Sequence, residues 1–316
     1  MKNKIYSRSV QMTAVNTREI KTNSLGSNHT TLSNADVKNY SGIDFRNVTD
    51  FTEISFKGAN LKRAVFDNLD FENKLNNNNG KQLKLPLDKS KLDFLDFSGA
   101  KLDRTSFIDT RMPNANFQDA TITTSIFDGA DLSGANFSGL TMTDVSFSSA
   151  ILKGANFSKT RIIHRLEYWE IDFNDADFTN ADFSGANFDY SEYNYANFTN
   201  ANFTSSKING SFTGVIFNGT IFKNATLSGG TFQVGNKNKE ESQIFKNVDF
   251  SYANLEKISF SYYPNEIKIK IILKNVDFSY ASFSSDIFFD DDAKELAVIF
   301  ENTKCRNGKR TNVRCY

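Results

Sequence analysis

Large apolar residues recur every five positions along the middle of this chain: Leu92, Phe97, Leu102, Phe107, Met112, Phe117, Ile122, Phe127, Leu132, Phe137, Met142, Phe147, Leu152, Phe157 and Ile162. A period of five fits neither the 3.6-residue period of a helix nor the two-residue period of a strand. Two residues before each centre the side chain is usually small, as at Ser90, Ala100, Thr105, Ala115, Ala130, Ala135 and Ala155, with Leu95, Leu140 and Val145 as exceptions. Asp or Asn often stands between the two.

A chain that turns a corner every five residues satisfies this pattern. The large centre and the small residue before it point inward, and the other three positions, mostly Ser, Thr, Asn, Asp, Gly and Lys, face water. Four units close a square coil of about twenty residues, and coils stack through backbone hydrogen bonds. Phe occupies 97, 107, 117, 127, 137, 147 and 157, while Leu, Met or Ile occupies the centres between them. Opposite walls therefore carry Phe and the other two carry aliphatics. Such a core is packed full and leaves no room for a ligand. The 31 Phe of the chain, abnormal for a globular domain, read as core.

The units Ala115-Asn116-Phe117, Ala130-Asp131-Leu132 and Ala135-Asn136-Phe137 follow an Ala-Asp/Asn-Leu/Phe-x-x pattern. This pattern resembles the pentapeptide-repeat proteins, and the resemblance runs roughly from Phe51 to Phe288. It implies an all-β fold, a right-handed quadrilateral β-helix. The units counted along the chain make about ten coils and a shaft roughly 50 Å long.

Three segments follow. Residues 1–44 form a loosely packed head; Met1 to Asn39 carry no register and are rich in Ser, Thr, Asn and Lys. Residues 45–300 form the β-helix, with lateral insertions at 72–91, 163–172, 233–244 and 261–272. Residues 301–316 form a basic tail. The first insertion holds Asn76 to Asn79, Gly80 and several lysines, and Phe71 and Leu92 stand 21 apart, one more than a whole coil. The register loses one residue before Phe212. Lys246-Asn247-Val248-Asp249-Phe250-Ser251-Tyr252-Ala253 recurs 28 residues later from Lys274, so the last two insertions should leave one corner of the shaft and touch in a side lobe. Alternation of Ile267, Ile269, Ile271 and Ile272 with Lys268 and Lys270 suggests a strand in that lobe. Asp290 to Leu296 reads as a short, N-capped C-terminal helix that closes the last coil.

Little in the chain suggests chemistry. No nucleotide loop, nucleophile elbow or zinc spacing occurs, and no apolar run is long enough to cross a membrane. No cofactor or metal is expected, and the chain reads as not an enzyme. His164 lies near Glu167 and Glu170, but exposed loop polars are far commoner than an acid–base pair. The Asp residues before the centres, such as Asp131, Asp177, Asp249 and Asp277, read as corner residues bonding local backbone rather than as a metal ladder. Cys305 and Cys315 read as free thiols in a tail, with a small disulfide loop as the alternative in an oxidising compartment.

The candidate contact residues sit in two places. The insertion 163–172 carries Tyr168 and Trp169 together, flanked by Glu167 and Glu170; Trp169 either plugs the interruption or presents a binding loop. The tail carries Lys304, Arg306, Lys309, Arg310 and Arg314 without an acid, with Lys309 and Arg310 its centre. Between Leu166 and Ser206 stand Glu167, Glu170, Asp172, Asp175, Asp177, Asp182, Asp189 and Glu192, with no Lys or Arg. The head and body resemble the enterobacterial type III secreted members of the family. That resemblance implies a non-enzymatic scaffold, delivered into a host cell, whose partner is a host protein or a membrane surface. No nucleic-acid partner is expected. The alternative, implied by the quinolone-resistance members, is an acidic DNA mimic in the bacterial cytoplasm that binds a type II topoisomerase such as gyrase. The zero net charge and basic tail weigh against it.

Overall fold

Every fifth residue has to turn the chain, and the corners show how it does so. The amide of Ala100 donates to the carbonyl of Phe97 at 2.9 Å, and Gly99 between them has φ +66°. This is a type II turn, which needs a left-handed residue at its third position. The same bond joins Thr110 to Phe107, Ala115 to Met112 and Ala120 to Phe117, with Asp109, Asn114 and Asp119 in the left-handed position. Asp and Asn tolerate that region better than other non-glycine residues. The fourth corner, after Leu102, is open: the amide of Thr105 donates instead to Ser125 Oγ of the next coil at 3.2 Å.

A computed structural model describes residues 30–31, 40–42, 48–50, 61, 64, 95–165, 171–227, 230–233, 242–256, 258–261, 270–282 and 297–311. Among these residues there is no helix. The strands that form the shaft are short and parallel, and each pairs in register with the next coil, as in Lys101–Asp103 on Thr121–Thr123. One wall can be followed from Leu61 through Phe97, Phe117, Phe137, Phe157, Phe183, Phe203, Phe222, Phe250 and Phe278 to Cys305. The amide of each donates to the carbonyl of the residue just before its successor. Ten coils lie between Leu61 and Cys305, of 36, 20, 20, 20, 26, 20, 19, 28, 28 and 27 residues.

The core is a pair of opposed ring stacks in the first half of the shaft. Phe117 and Phe137 stack at 4.6 Å, and Phe107 and Phe127 at 4.9 Å on the facing wall. Across the shaft the rings meet edge to face, Phe117 to Phe127 at 5.8 Å and Phe137 to Phe147 at 5.6 Å. Leu102, Ile122 and Met142 form one aliphatic wall, and Met112, Leu132 and Leu152 the other, all buried. From Phe178 the second of these walls also turns aromatic, through Phe198 and Phe217 to Phe245. Contact distances this short across the axis fill the shaft, as the alternation of large side chains requires.

The outward Asp and Asn residues hold the corners. Asp131 Oδ1 accepts from the amide of Ser133, Asp177 Oδ1 from Thr179, Asp249 Oδ1 from Ser251 and Asp277 Oδ1 from Ser279. Amide side chains also link coil to coil: Asn136 Nδ2 donates to Asn116 Oδ1, and Asn116 Nδ2 to Asp96 Oδ1, both at 3.3 Å.

The lateral insertions are placed by the strands that flank them. Gln233 pairs with Ser261 where the last two insertions depart, and Ser242 pairs with Lys270 where they return. Their exits and re-entries are thus stacked one coil apart. Lys270, Ile271 and Ile272, expected in the side lobe, belong to the shaft wall instead, in the strand Lys270–Lys274; Ile271 points into the core and is fully buried. Ile267 and Ile269 lie outside the described residues. The earlier insertion is larger than the spacing of 21 suggested. The amide of Leu61 donates to Asp96 and that of Lys101 to Ala64, so a single coil of 36 residues spans it, 16 more than twenty.

The C-terminal end differs most from expectation. Ala297–Glu301 is a further strand of the shaft, in register with Lys270–Lys274. Asp290 to Leu296, read as a helix, lies outside the described residues. Residues 301–311, read as the start of a tail, are folded. Thr303–Lys304 and Arg310–Thr311 form an antiparallel hairpin, and Lys304 pairs with Asp277 of the coil below. Phe278 and Tyr280 donate their amides to Lys304 and Arg306. The hairpin therefore caps an edge that would otherwise expose unpaired backbone. Cys305 takes the position above Phe278, is buried, and is disulfide-bonded rather than free. A buried thiol at the end of an ordered cap is held still enough to be bridged, which a tail would not ensure.

Candidate functional site

Because the shaft is filled, whatever this protein does it does with its outside and its loops. The insertion after Ile162 is described only at its margins. Arg161–Ile163 continues the wall, Asp144 Oδ1 accepts from the amide of Arg165 at 2.7 Å, and Ile171–Asp172 rejoins the stack against Ser191–Glu192. His164 Nε2 is buried without a hydrogen-bond partner among the described residues. Glu167, Tyr168, Trp169 and Glu170 lie outside the described residues. Lys309 and Arg310 are both exposed on the capping hairpin. The Lys309 carbonyl accepts from Cys305 at 2.8 Å, and Arg310 Nη1 donates to the Asn302 carbonyl at 3.0 Å. The two candidate regions stand five and more coils apart on one shaft.

The acidic residues do not share one face. Asp172 and Glu192 precede Phe173 and Tyr193 on one wall, Asp177 precedes Phe178 on the next, and Asp182 precedes Phe183 on the third. On the first wall carboxylates stand close enough to act on one another. Burial raises the pKa of Asp172, and Asp128 and Glu192 raise it further. Asp128 is raised likewise by burial, against hydrogen bonds from Ser146 and Ser148, with Asp109 adding to the rise. On the next wall, burial would raise Asp177, but hydrogen bonds from Thr179 and the Lys153 ammonium at 3.2 Å carry it below the ordinary value. Among the described residues no cluster of His, Cys, Asp and Glu could hold a metal ion, and no helix is long and apolar enough to cross a membrane.

One surface feature escaped the sequence reading. The residues just before the centres Phe217, Phe245, Leu273 and Phe300 are Ile216, Ile244, Ile272 and Ile299, and the pairing of four neighbouring strands sets them in one column. Ile216 is 51% exposed and Ile299 37%. Their spacings of 28, 28 and 27 hide the column in the sequence.

The repeat geometry has counterparts. The family described as a pentapeptide repeat region matches residues 86–157, and the family of pentapeptide repeats in eight copies matches 169–191 and 181–211. None of the curated proteins matches the chain. Among solved structures the chain is similar to HetL, a pentapeptide-repeat protein involved in heterocyst differentiation regulation in the cyanobacterium Nostoc sp. strain PCC 7120. The identity is 17%, over 87% of this chain and 94% of that one, with a TM-score of 0.29. It is similar to QnrB1, a plasmid-mediated fluoroquinolone resistance protein, at 19% identity over 78% and 92% of the two chains, TM-score 0.25. A thylakoid-lumen pentapeptide-repeat protein of Arabidopsis thaliana matches at 21% identity over 52% and 66%, TM-score 0.14. The fold is an all-β solenoid of stacked five-residue units. Residues 86–157 and 169–211 carry the pentapeptide repeats that these families describe.

Proposed function

We propose that this protein is a non-enzymatic interaction scaffold, a secreted bacterial effector that acts on host membranes or host trafficking. The observation that carries the scaffold reading is the filled shaft, whose opposed rings meet at 5.6 to 6.1 Å and leave only surface to offer. The Ser/Thr/Asn-rich head, residues 1–44, supplies the export signal of a type III system. The loop bearing Tyr168 and Trp169, with Glu167 and Glu170, and the cap bearing Lys309 and Arg310 are its contact sites. Fusing residues 1–39 to a reporter tests export: secretion by a type III apparatus supports the reading, and retention of the reporter in the bacterium refutes it. Trp169 is the only tryptophan, so its emission reports the loop. Red-shifted, readily quenched emission that turns blue with a host extract fits a contact loop; blue, quencher-resistant emission in the free protein removes it.

A second reading has one observation in its favour, the electronegative wall of Asp128, Asp172 and Glu192. Such a wall suits an acidic DNA mimic that binds a type II topoisomerase such as gyrase. Inhibition of gyrase supercoiling by the purified chain would establish this reading, and its absence at micromolar protein would dismiss it.

A further inference from the structure

Along the wall that holds Met112, Leu132, Leu152, Phe178 and Phe198, the residue before each centre is Arg111, Asp131, Ile151, Asp177 and Asn197. Charges there are matched from coil to coil, Arg111 to Asp131 at 3.1 Å and Lys153 to Asp177 at 3.2 Å. At Phe217 the wall changes character. Its next four members at that position are Ile216, Ile244, Ile272 and Ile299, and its strands lengthen to five residues at Ser242–Lys246, Lys270–Lys274 and Ala297–Glu301. Around the adjoining corner Ile221 is 38% exposed. The repeat does not demand isoleucine here, since it accepts Arg, Asp and Asn at the same position elsewhere.

Among the described residues, the charges beside the column are mostly basic. Lys246 and Lys274 follow the centres Phe245 and Leu273 and are exposed, and Lys223 is exposed beyond Ile221. Lys274 pairs with Glu301 at 2.9 Å, whereas among the described residues Lys223 and Lys246 have no ion pair. Over the full sequence from Phe217 to Thr311 bases and acids nearly balance, 13 to 12, so the basic character is local to Lys223, Lys246, Lys270 and Lys274 beside the column. With eight acids and no Lys or Arg between Leu166 and Ser206, an anionic surface is repelled from the middle of the shaft and meets its lysines beside the column.

We propose that this isoleucine column and its lysines dock on an anionic lipid surface. Three strands of five residues and one of two, about 4.8 Å apart, present roughly 250 Å², well short of the roughly 800 Å² per partner of a stable dimer. The column runs across four parallel strands paired in register, and lysines are point charges rather than rigid forks. A fluid interface takes up a shallow apolar ridge and satisfies unpaired ammonium groups with mobile headgroups. This deepens the membrane part of the reading above and rests on it, while its test is independent of export.

Vesicle flotation with the full chain decides it. The wild type is expected to float with vesicles of phosphatidylcholine containing phosphatidylserine, weakly with phosphatidylcholine alone, and to be released by salt. Ile216→Asp with Ile299→Asp should lower partition at least tenfold, and Lys246→Glu alone about fivefold or more. Both sites face outward, and an unchanged thermal midpoint verifies folding. A wild type that stays in solution, or an isoleucine variant that floats as well as the wild type, overturns the proposal. Loss only in Lys309→Glu with Arg310→Glu also overturns it, because binding then lies on the cap. A chain that floats but is not exported would refute the export reading and leave this one standing.

Discussion

Replacing Phe137 with Ala is the sharpest test of the filled shaft. Phe137 is fully buried, stacks on Phe117 at 4.6 Å and Phe157 at 4.9 Å, and meets Phe127 and Phe147 edge to face at 6.1 and 5.6 Å. Truncation removes the transfer free energy of the ring and leaves a cavity between two coils that cannot close without breaking register. Buried Phe→Ala changes cost about 3–5 kcal/mol, and four ring contacts place this one in the upper half of that range. A solenoid couples only neighbours, so the loss is local. The assay is native-state hydrogen exchange at the amides of Phe117 and Phe137, which donate to Asn136 and Asn156. A loss of about 4 kcal/mol lowers protection there roughly a thousandfold. The amide of Phe250, several coils away, should keep most of its protection. Ser138→Ala, at a position facing outward, is the control and should change exchange by less than about twofold. Equal effects at Phe137 and Ser138, or a Phe137→Ala cost below about 1 kcal/mol, would refute the inward register.

Three further outcomes follow from named contacts. Asp172→Asn keeps the side-chain oxygen that accepts from Asn174 at 2.7 Å but removes a charge held beside Asp128 and Glu192. The raised folded pKa means this carboxyl favours folding below its ordinary 3.8 and loses that contribution as pH rises through the folded value. Asp172→Asn should therefore raise the thermal midpoint at pH 7 and leave it unchanged near pH 3. Gly210→Ala drives a Cβ into the Ser191 carbonyl oxygen, a backbone clash, whereas Gly139→Ala meets nothing within 4 Å. Urea midpoints should show about 1 kcal/mol lost at Gly139 from its left-handed φ, and clearly more at Gly210. Reducing the disulfide of Cys305 should loosen the C-terminal cap by on the order of 3 kcal/mol, read as faster proteolysis after Glu301 while the Phe137 region stays protected.

The period of five, the inward ladder, the corner Asp and Asn residues and the shared exit of the last two insertions were all legible from residue order. Each is a local signal repeated many times, so no long-range information is needed to read it. The surface was not legible in the same way. Which outward residues become neighbours depends on coil length, and coils here run from 19 to 36 residues as insertions come and go. Ile216, Ile244, Ile272 and Ile299 look unrelated in sequence and form one column only once the strands are paired. The acidic residues show the converse: close in sequence, they turn with the coil onto three walls. The C-terminal cap shows the limit most clearly. Residues 301–311 lack the five-residue period, and they fold because the last coil leaves backbone donors and acceptors open that the hairpin satisfies. Local periodicity determined the shaft; stacking decided which side chains share a face, because pairing between coils alone converts sequence distance into spatial distance.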